Sequence, residues 1–355
     1  MFGTVGPMTT GNNRISDRSN DRTVLVTGGA GFIGSHTAVA LLERGFKVII
    51  ADNFVNSSPL AVDAVSSLTG RPVNLVEVDL TDLEAVNDLF ASYAIDAVIH
   101  FAGLKAVGES VDEPLRYYRT NLISTMNLLE AMATHEVFEL VFSSSATVYG
   151  DPQIVPIPET APTGATNPYG RTKLMIEQIC DDLAASDSRW RITLLRYFNP
   201  VGAHPSGDLG EDPMGVPNNL VPFVMQVAVG RRPEVRVFGT DYETHDGTGV
   251  RDYIHVIDLA FGHVAALDRP DDGCKVYNLG TGVGASVLDI IRTAAEVSGV
   301  EIPYSVVERR PGDIAVSLAE PSLANDELGW RADRSLEAML RDAWRWQSRH
   351  PEGFQ

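Results

Sequence analysis

The chain of 355 residues has few cysteines, few basic residues and no long apolar run. Its two cysteines, Cys180 and Cys274, lie far apart in sequence, which excludes a disulfide-rich secreted scaffold and favours free thiols in a reducing compartment. Lys and Arg number 28 against 47 Asp and Glu, a formal net charge of −19. An acidic surface of this kind repels nucleic-acid phosphates and anionic lipids, so we expect neither as a partner.

Other absences narrow the class of protein further. No apolar stretch approaches the ~20 residues of a membrane-spanning helix. The eight histidines include no metal-ligand pattern such as His-Glu-x-x-His. We therefore expect a cytoplasmic protein with no catalytic metal. Residues 1–21 are rich in Gly, Thr, Asn, Ser and Asp and predict a disordered leader without the apolar core of a signal peptide.

The stretch from Val24 to Gly34 reads Val-Leu-Val-Thr-Gly-Gly-Ala-Gly-Phe-Ile-Gly and predicts a buried strand, a turn and the start of a helix. Its evenly spaced glycines allow a tight turn, close approach of a pyrophosphate and close packing of helix against strand: Gly28, Gly31 and Gly34. The phosphates would then lie at the positive end of the helix dipole. Asp52 directly follows the next predicted strand, where its carboxylate suits an adenosine ribose and disfavours a 2′-phosphate. The pattern predicts NAD as the cofactor.

Predicted strands and helices alternate over residues 22–200. The strands are short apolar runs at 24–26, 47–51, 73–78, 97–101, 140–143 and 192–196. Helical spacing of apolar residues predicts helices between them, among them 83–92, 114–134 and 169–186. Repeated β-α units predict an α/β fold with a Rossmann-type, doubly wound parallel sheet as the NAD-binding domain. Ligands of such sheets bind beyond the carboxyl ends of the strands.

The character of the sequence changes after Asn199. A stretch rich in Gly, Pro, Asp and Asn at 200–219 predicts a long functional loop, and a helix is predicted over 254–267. Residues 201–355 are expected to form a smaller mixed α/β lobe that binds the substrate. A return segment near residues 254–280 is expected to rejoin the NAD-binding domain, because it ends in one more apolar strand.

A tyrosine and a lysine four residues apart begin one of the predicted helices. Tyr169 and Lys173 project from the same face, one turn apart. A neighbouring ammonium lowers a phenol's pKa by roughly 1–3 units, so we expect Tyr169 to exchange a proton with a sugar hydroxyl. Ser145 follows a strand at the same sheet edge and is expected to donate to the same substrate oxygen. Taken singly, the pair also fits a packed tyrosine ring beside a solvated lysine. The run of serines that ends at Ser145 also fits a turn whose hydroxyls bond its own backbone.

Four longer stretches resemble the extended short-chain dehydrogenase/reductases and, among them, the family of UDP-glucose (UDP-galactose) 4-epimerases. They read HFAGLKAVGES at 100–110, FSSSATVYG at 142–150, LRYFNPVGA at 195–203 and GTGVRDYIHV at 247–256. The resemblance extends over nearly the whole chain, from about residue 23 to 354. It implies that tightly bound NAD oxidises carbon 4 of a UDP-sugar, that the 4-keto sugar turns over in the pocket, and that the hydride returns to its opposite face.

The resemblance also implies roles for individual residues. Tyr169 is the implied catalytic base, Lys173 its partner and Ser145 the hydroxyl relay. The implied NAD site comprises these three with Gly28, Gly31, Phe32, Ile33, Gly34, Asp52, Asn53, Asn56, Ser57, Asp79, Leu80, Phe101, Ala102, Gly103, Lys105 and Phe198. The implied UDP-sugar site comprises Lys105, Ser145, Tyr169, Asn199, Asn219, Leu220, Phe238, Arg251, Arg310, Asp313 and Ser317. A homodimer formed through helices 114–134 and 169–186 is implied as well.

Some positions depart from the family or bear on alternatives to it. Thr120 stands where the family often has Asn, so a hydroxyl replaces a side-chain amide. Ser317 stands where some relatives carry a bulky tyrosine, and its small size predicts that UDP-N-acetylglucosamine and UDP-N-acetylgalactosamine are also accepted. A nucleotide-sugar 4,6-dehydratase would need a carboxyl pair where Ala146 and Thr147 stand. A redox-sensing protein that binds NAD without chemistry would not need the Tyr/Lys pair.

Overall fold

The computed structural model describes residues 21–269, 271–310 and 312–354. Of the leader predicted over residues 1–21, all but Asp21 lies outside the described residues. The strands, in chain order, are β1 (Thr23–Thr27), β2 (Lys47–Asp52), β3 (Asn74–Glu77), β4 (Ala97–His100), β5 (Glu139–Ser145), β6 (Arg191–Tyr197), β7 (Asn199–Val201), β8 (Val235–Phe238), β9 (Val250–His255), β10 (Gly273–Leu279), β11 (Gly284–Ser286), β12 (Tyr304–Val307) and β13 (Val316–Ser317). The helices are α1 (Phe32–Glu43), α2 (Pro59–Thr69), α3 (Leu83–Ser92), α4 (Val107–Asp112), α5 (Pro114–Thr134), α6 (Pro168–Ser186), α7 (Leu220–Ala228), α8 (Val256–Leu267), α9 (Val287–Ser298), α10 (Ser322–Glu327) and α11 (Leu336–Arg349). Within the described ranges, no helix combines the length and the apolarity that a bilayer span requires.

A seven-stranded parallel sheet forms the larger domain, in the order β10-β6-β5-β4-β1-β2-β3. Its central strands are buried on both faces, which explains their continuous apolar sequences. The strand order reverses between β1 and β4, where Thr27 lies beside His100. The predicted Rossmann-type, doubly wound sheet is therefore confirmed, and the crevice beyond the carboxyl ends of β1 and β4 is its expected ligand site.

Helices cover both faces of this sheet. On one face α1 packs against α8, with Val39 and Leu259 in a common apolar cluster. On the other face α3, α5 and α6 pack side by side, with Leu128 and Ile176 in a second cluster. Because α6 follows β5 along the chain, this packing fixes the first turn of α6 at the carboxyl edge of the sheet.

A later part of the chain returns to the large sheet. Strand β10 pairs in parallel with β6, and α8 precedes it on the α1 side. The helix predicted over 254–267 is wrong in its first two residues, because Ile254 and His255 end strand β9. The helix begins at Val256, since the His255 side chain caps it by accepting a hydrogen bond from the Ile257 amide at 3.0 Å.

The smaller lobe is built around β9. Strands β7 and β13 pair with β9 in parallel and β11 pairs with it antiparallel, while β8 and β12 form a separate parallel pair. Helices α7, α9 and α11 pack together beneath them, with Val224, Ile290 and Leu340 fully buried. Strand β7 follows β6 almost directly, so the two lobes meet beside the carboxyl edge of the large sheet.

Candidate active site

The glycine turn between β1 and α1 lies at the switch point of the sheet. Gly28 has a φ of +66°, and a Cβ there would lie 2.7 Å from the Ala102 amide nitrogen, so only glycine permits the two turns to touch. Gly31 is the N-cap of α1 and has no side chain to occupy the first N–H groups of the helix, at Phe32 and Ile33. A Cβ on Gly34 would collide with the Gly28 carbonyl oxygen. This cradle of open backbone amides at a helix N-terminus fits a dinucleotide pyrophosphate.

Asp52 is held at the end of β2 by the same turn. Its carboxylate accepts hydrogen bonds from the Ala30 amide at 2.9 Å, the Phe54 amide at 3.0 Å and the Ser57 hydroxyl at 2.8 Å. The side chain is buried, while Asn53 and Asn56 beside it are exposed. A carboxylate fixed in this way retains lone pairs for a ribose diol.

The remaining residues predicted for the adenosine end follow β3. Asp79 is exposed and accepts hydrogen bonds from the Thr81 amide at 2.9 Å and hydroxyl at 2.8 Å. Leu80 is buried, and its carbonyl accepts a hydrogen bond from Asn127 of α5 at 2.9 Å. Both residues therefore lie at the carboxyl edge of the sheet, just after its outermost strand β3.

Asn121 of α5 fixes the turn that follows β4, which contains Phe101, Ala102, Gly103 and Lys105. Its amide oxygen accepts from the Leu104 N–H at 2.8 Å, and its amide nitrogen donates to the Leu104 carbonyl at 3.1 Å and the Thr172 hydroxyl at 3.0 Å. Asn121 is only 2% exposed, so it joins this turn to α6 from inside the protein. Sequence reasoning considered its neighbour Thr120 and missed this role.

The structure brings the three predicted catalytic residues together. Tyr169 lies in the first turn of α6, a turn capped by Asn167, which accepts from the Gly170 amide at 2.8 Å. Ser145 ends β5, and its side chain lies close enough to the Tyr169 phenol to lower the pKa of that phenol. Lys173 is one turn further along α6 and is buried, with its Nζ donating to the Ser143 carbonyl at 2.6 Å.

Burial dominates the electrostatics of this group. It raises the pKa of Tyr169, an effect that the hydrogen bond with Ser145 only partly opposes. It lowers the pKa of Lys173 to about 7. The expected net lowering of the phenol's pKa is therefore wrong, because burial raises it. The lysine ammonium lies 4.7 Å from the centroid of the Phe142 ring and 6.0 Å from that of Tyr169, and desolvation outweighs their interaction.

A cavity of about 660 Å³ opens in the smaller lobe. Many of the residues predicted for the UDP-sugar line it, namely Asn199, Asn219, Leu220, Phe238, Arg251, Arg310 and Asp313. Arg310 pairs with Asp313 at 2.9 Å and lies 4.6 Å from the centroid of the Phe238 ring. Arg232, Arg236 and Tyr242 also line the cavity and were missed from the sequence. Local positive charge and an aromatic face suit a nucleoside diphosphate on an otherwise acidic protein.

Other residues predicted for the sugar lie outside the lining of this cavity: Lys105, Ser145, Tyr169 and Ser317. Ser317 is half-buried in β13 and lies in register with Arg251 of β9, so the two are neighbours in one sheet. Phe198 follows β6 and packs with Val148 and Tyr149 behind the serine run.

Comparisons with known proteins agree with this geometry. Residues 24–280 match the model of the NAD dependent epimerase/dehydratase family. The chain is 58% identical to a UDP-glucose 4-epimerase of Bacillus subtilis, over 93% of this chain and 98% of that one. A crystal structure of the UDP-glucose 4-epimerase of Bifidobacterium longum with NAD+ and UDP superposes with a TM-score of 0.91 at 55% identity, covering 94% and 100% of the two chains. The UDP-Glc/GlcNAc 4-epimerase of Campylobacter jejuni is similar at 35% identity with a TM-score of 0.81, covering 92% and 99%.

Both the fold and the cofactor class predicted from the sequence are confirmed by these relatives. The match spans the glycine turn, the Tyr169 helix and the return strand β10 in a single alignment. The chain belongs to the NAD dependent epimerase/dehydratase family, among the UDP-glucose 4-epimerases.

Proposed function

We propose that the protein interconverts UDP-glucose and UDP-galactose by transient oxidation at carbon 4 of the sugar. The single observation that carries this proposal is the position of Tyr169. Its phenol lies beside Ser145 and Lys173 at the carboxyl edge of the sheet, in a chain that also provides a turn suited to a dinucleotide and a cavity suited to a nucleoside diphosphate. Hydride transfer at a sugar hydroxyl requires an acid/base group of this kind together with sites for those two ligands.

The residues divide the work as follows. Tyr169 takes the proton from the sugar 4-hydroxyl as the C4–H bond breaks, and later gives it back. Ser145 holds that oxygen and relays the proton, since its side chain lies beside the phenol and lowers the pKa of Tyr169. Bound NAD would supply the acceptor and donor of the hydride, and its positive ring would favour the Tyr169 phenolate, whose pKa burial alone raises.

Lys173 serves the cofactor side of the site. Its ammonium is fixed by the Ser143 carbonyl and the Phe142 ring, and is thereby held one turn from Tyr169. We assign it the hydroxyls of the nicotinamide ribose and, through its charge, stabilisation of the Tyr169 phenolate. Phe198, packed behind the serine run, closes the site on the side of β6.

Epimerisation further requires that UDP be held firmly and the sugar loosely. Arg251 and Arg310 supply the charge for the diphosphate, and Phe238 an apolar face for the nucleoside. The 4-keto sugar can then turn over while its nucleotide stays bound, so that the hydride returns to the opposite face. Binding energy from the remote UDP group thus serves the reaction at the sugar.

Assay of the purified protein with UDP-galactose tests this proposal. We expect UDP-glucose to form without added NAD, and denatured protein to release NAD at close to one equivalent per chain. A coupled assay for UDP-glucose and absorbance of the released cofactor provide the two readouts. Tight cofactor binding without any interconversion of the sugars would refute the proposed activity.

We propose in addition that the N-acetylated UDP-sugars are substrates. Ser317 is half-buried next to Arg251 in the sheet that borders the nucleotide cavity. Its small side chain leaves room beside carbon 2 of the sugar. The similar Campylobacter jejuni enzyme bears UDP-Glc/GlcNAc 4-epimerase in its description, which supports this wider specificity.

A homodimer is the proposed assembly. Apolar side chains are exposed on α4, α5 and α6, three helices that pack against one another: Val111, Leu115, Met126 and Met175. Leu115 is 82% exposed, an unfavourable position for an isolated subunit. Burial of these helices against a second copy would remove the exposed apolar side chains from water. Light scattering during gel filtration measures the mass, which should be that of two chains.

A further inference from the structure

A buried charged group lies directly beneath the catalytic residues. Glu177 follows Lys173 by one turn of α6 and is 3% exposed. Its carboxylate accepts hydrogen bonds from the Ser144 hydroxyl at 2.5 Å and from Arg196 Nε and Nη2 at 2.9 and 2.6 Å. Ser144 immediately precedes Ser145 on β5, and Arg196 lies on the neighbouring strand β6. One carboxylate therefore ties the helix of Tyr169 to the strand of Ser145.

The group continues away from the reaction centre as a chain of hydrogen bonds. Arg196 donates to the Tyr149 hydroxyl at 3.1 Å and to the Glu159 carbonyl at 3.3 Å. The Tyr149 hydroxyl donates to Asn278 of β10 at 2.7 Å. The carboxylate is thus fixed from several sides by groups that are themselves hydrogen-bonded.

Burying the ion pair of Glu177 and Arg196 costs desolvation free energy. A buried ion pair often gives no more stability than apolar residues of the same volume, whereas loss of one partner is strongly destabilising. The alternative of a purely structural pair exists at the other end of the same two strands, where Glu139 accepts from Arg191 at 2.8 Å. Glu177 differs from Glu139 in touching a neighbour of the catalytic serine and in lying next to Lys173.

Glu177 is also the negative charge that acts on Lys173, one turn away on α6. Around the ammonium stand the phenol of Tyr169 on α6 and the imidazole of His100 on β4, while the phenol of Tyr197 on β6 bonds the Ser143 hydroxyl. Burial holds the pKa of His100 at about 3, so that imidazole is neutral at pH 7. Burial lowers the pKa of Lys173 to about 7, and the charge of Glu177 opposes this shift.

We propose that Glu177 is a positioning residue for the proposed reaction, with two separable actions. Through Ser144 it fixes the end of β5 that presents Ser145 to Tyr169, and through its charge it keeps Lys173 protonated. Glu177 does not touch substrate or cofactor. This inference rests on the proposed epimerase function and adds to it the group that maintains its geometry and charge.

Two substitutions separate the actions. Glu177→Gln keeps an acceptor for Ser144 but removes the charge, so the alkaline limb of kcat/KM against pH should move down by on the order of one pH unit. Ser144→Ala keeps the charge but removes the tether, so kcat should fall on the order of tenfold with an unchanged KM and an unmoved alkaline limb. Glu177→Asp restores the charge at a shorter reach and should return the limb toward its wild-type position. If Glu177→Gln leaves Arg196 unpaired and fails to fold, Ser144→Ala still tests the tether, because it keeps the ion pair of Glu177 with Arg196.

Glu139→Gln is the matched control, because it breaks the ion pairs of Glu139 with Arg191 and Arg22 at the far end of β5 and β6. It should lower the melting temperature and leave the pH profile of UDP-galactose turnover unchanged. A Glu177→Gln variant that loses stability like this control, with an unshifted alkaline limb, would overturn the positioning role. Wild-type protein is assayed alongside, so inactivity toward UDP-galactose in the wild type would instead count against the proposed function.

Discussion

Lys105 and Glu211 join the two halves of the site through a salt bridge of 3.6 Å. Lys105 lies in the turn after β4, on the cofactor side, and Glu211 lies in the long loop before α7. The same Glu211 carboxylate accepts a hydrogen bond from Asn219 at 3.1 Å, at the nucleotide cavity. The Trp346 indole of α11 holds the Glu211 backbone carbonyl at 3.1 Å. An anchored carboxylate thus links a predicted NAD contact with a predicted UDP contact.

Glu211→Gln should weaken the binding of UDP to the NAD-loaded protein. The variant loses the ion pair with Lys105, and Asn219 loses a charged acceptor, so we expect an affinity loss of about 2- to 10-fold. Titration calorimetry with UDP measures it. Glu352→Gln, which breaks the exposed pair of Glu352 with Arg231, is the control and should leave UDP affinity unchanged. Equal UDP affinity in Glu211→Gln and wild type would show that this carboxylate does not connect the two halves.

Tyr169→Phe should abolish turnover while preserving binding. The ring fills the same space in the first turn of α6, but no hydroxyl remains to exchange a proton with the sugar. General acid/base catalysis of this type contributes about 10²- to 10⁴-fold, which is the expected loss in kcat. The coupled UDP-galactose assay measures the rate, and released NAD and UDP titration report on binding. A variant with a near-normal rate would remove Tyr169 from the mechanism.

Local sequence predicted well those parts of the fold that local sequence determines. Apolar runs placed strands β1 to β6 of the large sheet within two residues of their observed bounds, and helical spacing placed α3 and α5 at theirs. The glycine spacing predicted the β1–α1 turn because the steric demand at Gly28 is itself local. The helix predicted from Ile254 was wrong at its start because the N-cap of α8 is a histidine, which sequence rules seldom assign to that position.

Long-range contacts account for what the sequence could not predict. Asn121 contacts Leu104 and Thr172, which are 17 and 51 residues away along the chain. The bonds of Glu177 to Ser144 and Arg196 likewise span 33 and 19 residues. The direction in which the pKa of Tyr169 shifts depends on burial by the whole domain. The spacing of residues in the sequence shows only that Lys173 is near. Such contacts exist only once the strands are paired.

Acid should destabilise the protein through its buried histidines, of which His263 is the most suitable to test. Burial lowers its pKa from 6.5 to about 4, and its Nδ1 donates to the Leu259 carbonyl at 2.9 Å. Between these two values the unfolded chain binds a proton that the folded chain does not. The contribution of neutral His263 to stability is therefore fully present above pH 6.5. As the pH falls from 6.5 toward 4, the free energy of unfolding decreases by up to ~1.4 kcal/mol per pH unit because of this group.

His263→Phe should flatten that dependence, since an uncharged ring fills the space between Phe101 and Tyr197. Urea unfolding at about pH 7 and about pH 5.5 measures the slope. The control is His245→Phe, at a loop histidine whose side chain is 59% exposed. A wild-type slope in His263→Phe would mean that other groups cause the loss of stability in acid.

Ser317→Tyr should narrow the substrate range. Because Ser317 lies in register with Arg251 beside the nucleotide cavity, a phenol ring there takes up the space left for an N-acetyl group at carbon 2. We expect turnover of UDP-N-acetylgalactosamine to fall by about tenfold or more, with a much smaller change for UDP-galactose. Ser317→Ala keeps the space and should retain both activities. Kinetics on both substrate pairs decide the point, because equal losses on both would mean that the tyrosine disturbs the site generally and that Ser317 does not set the specificity.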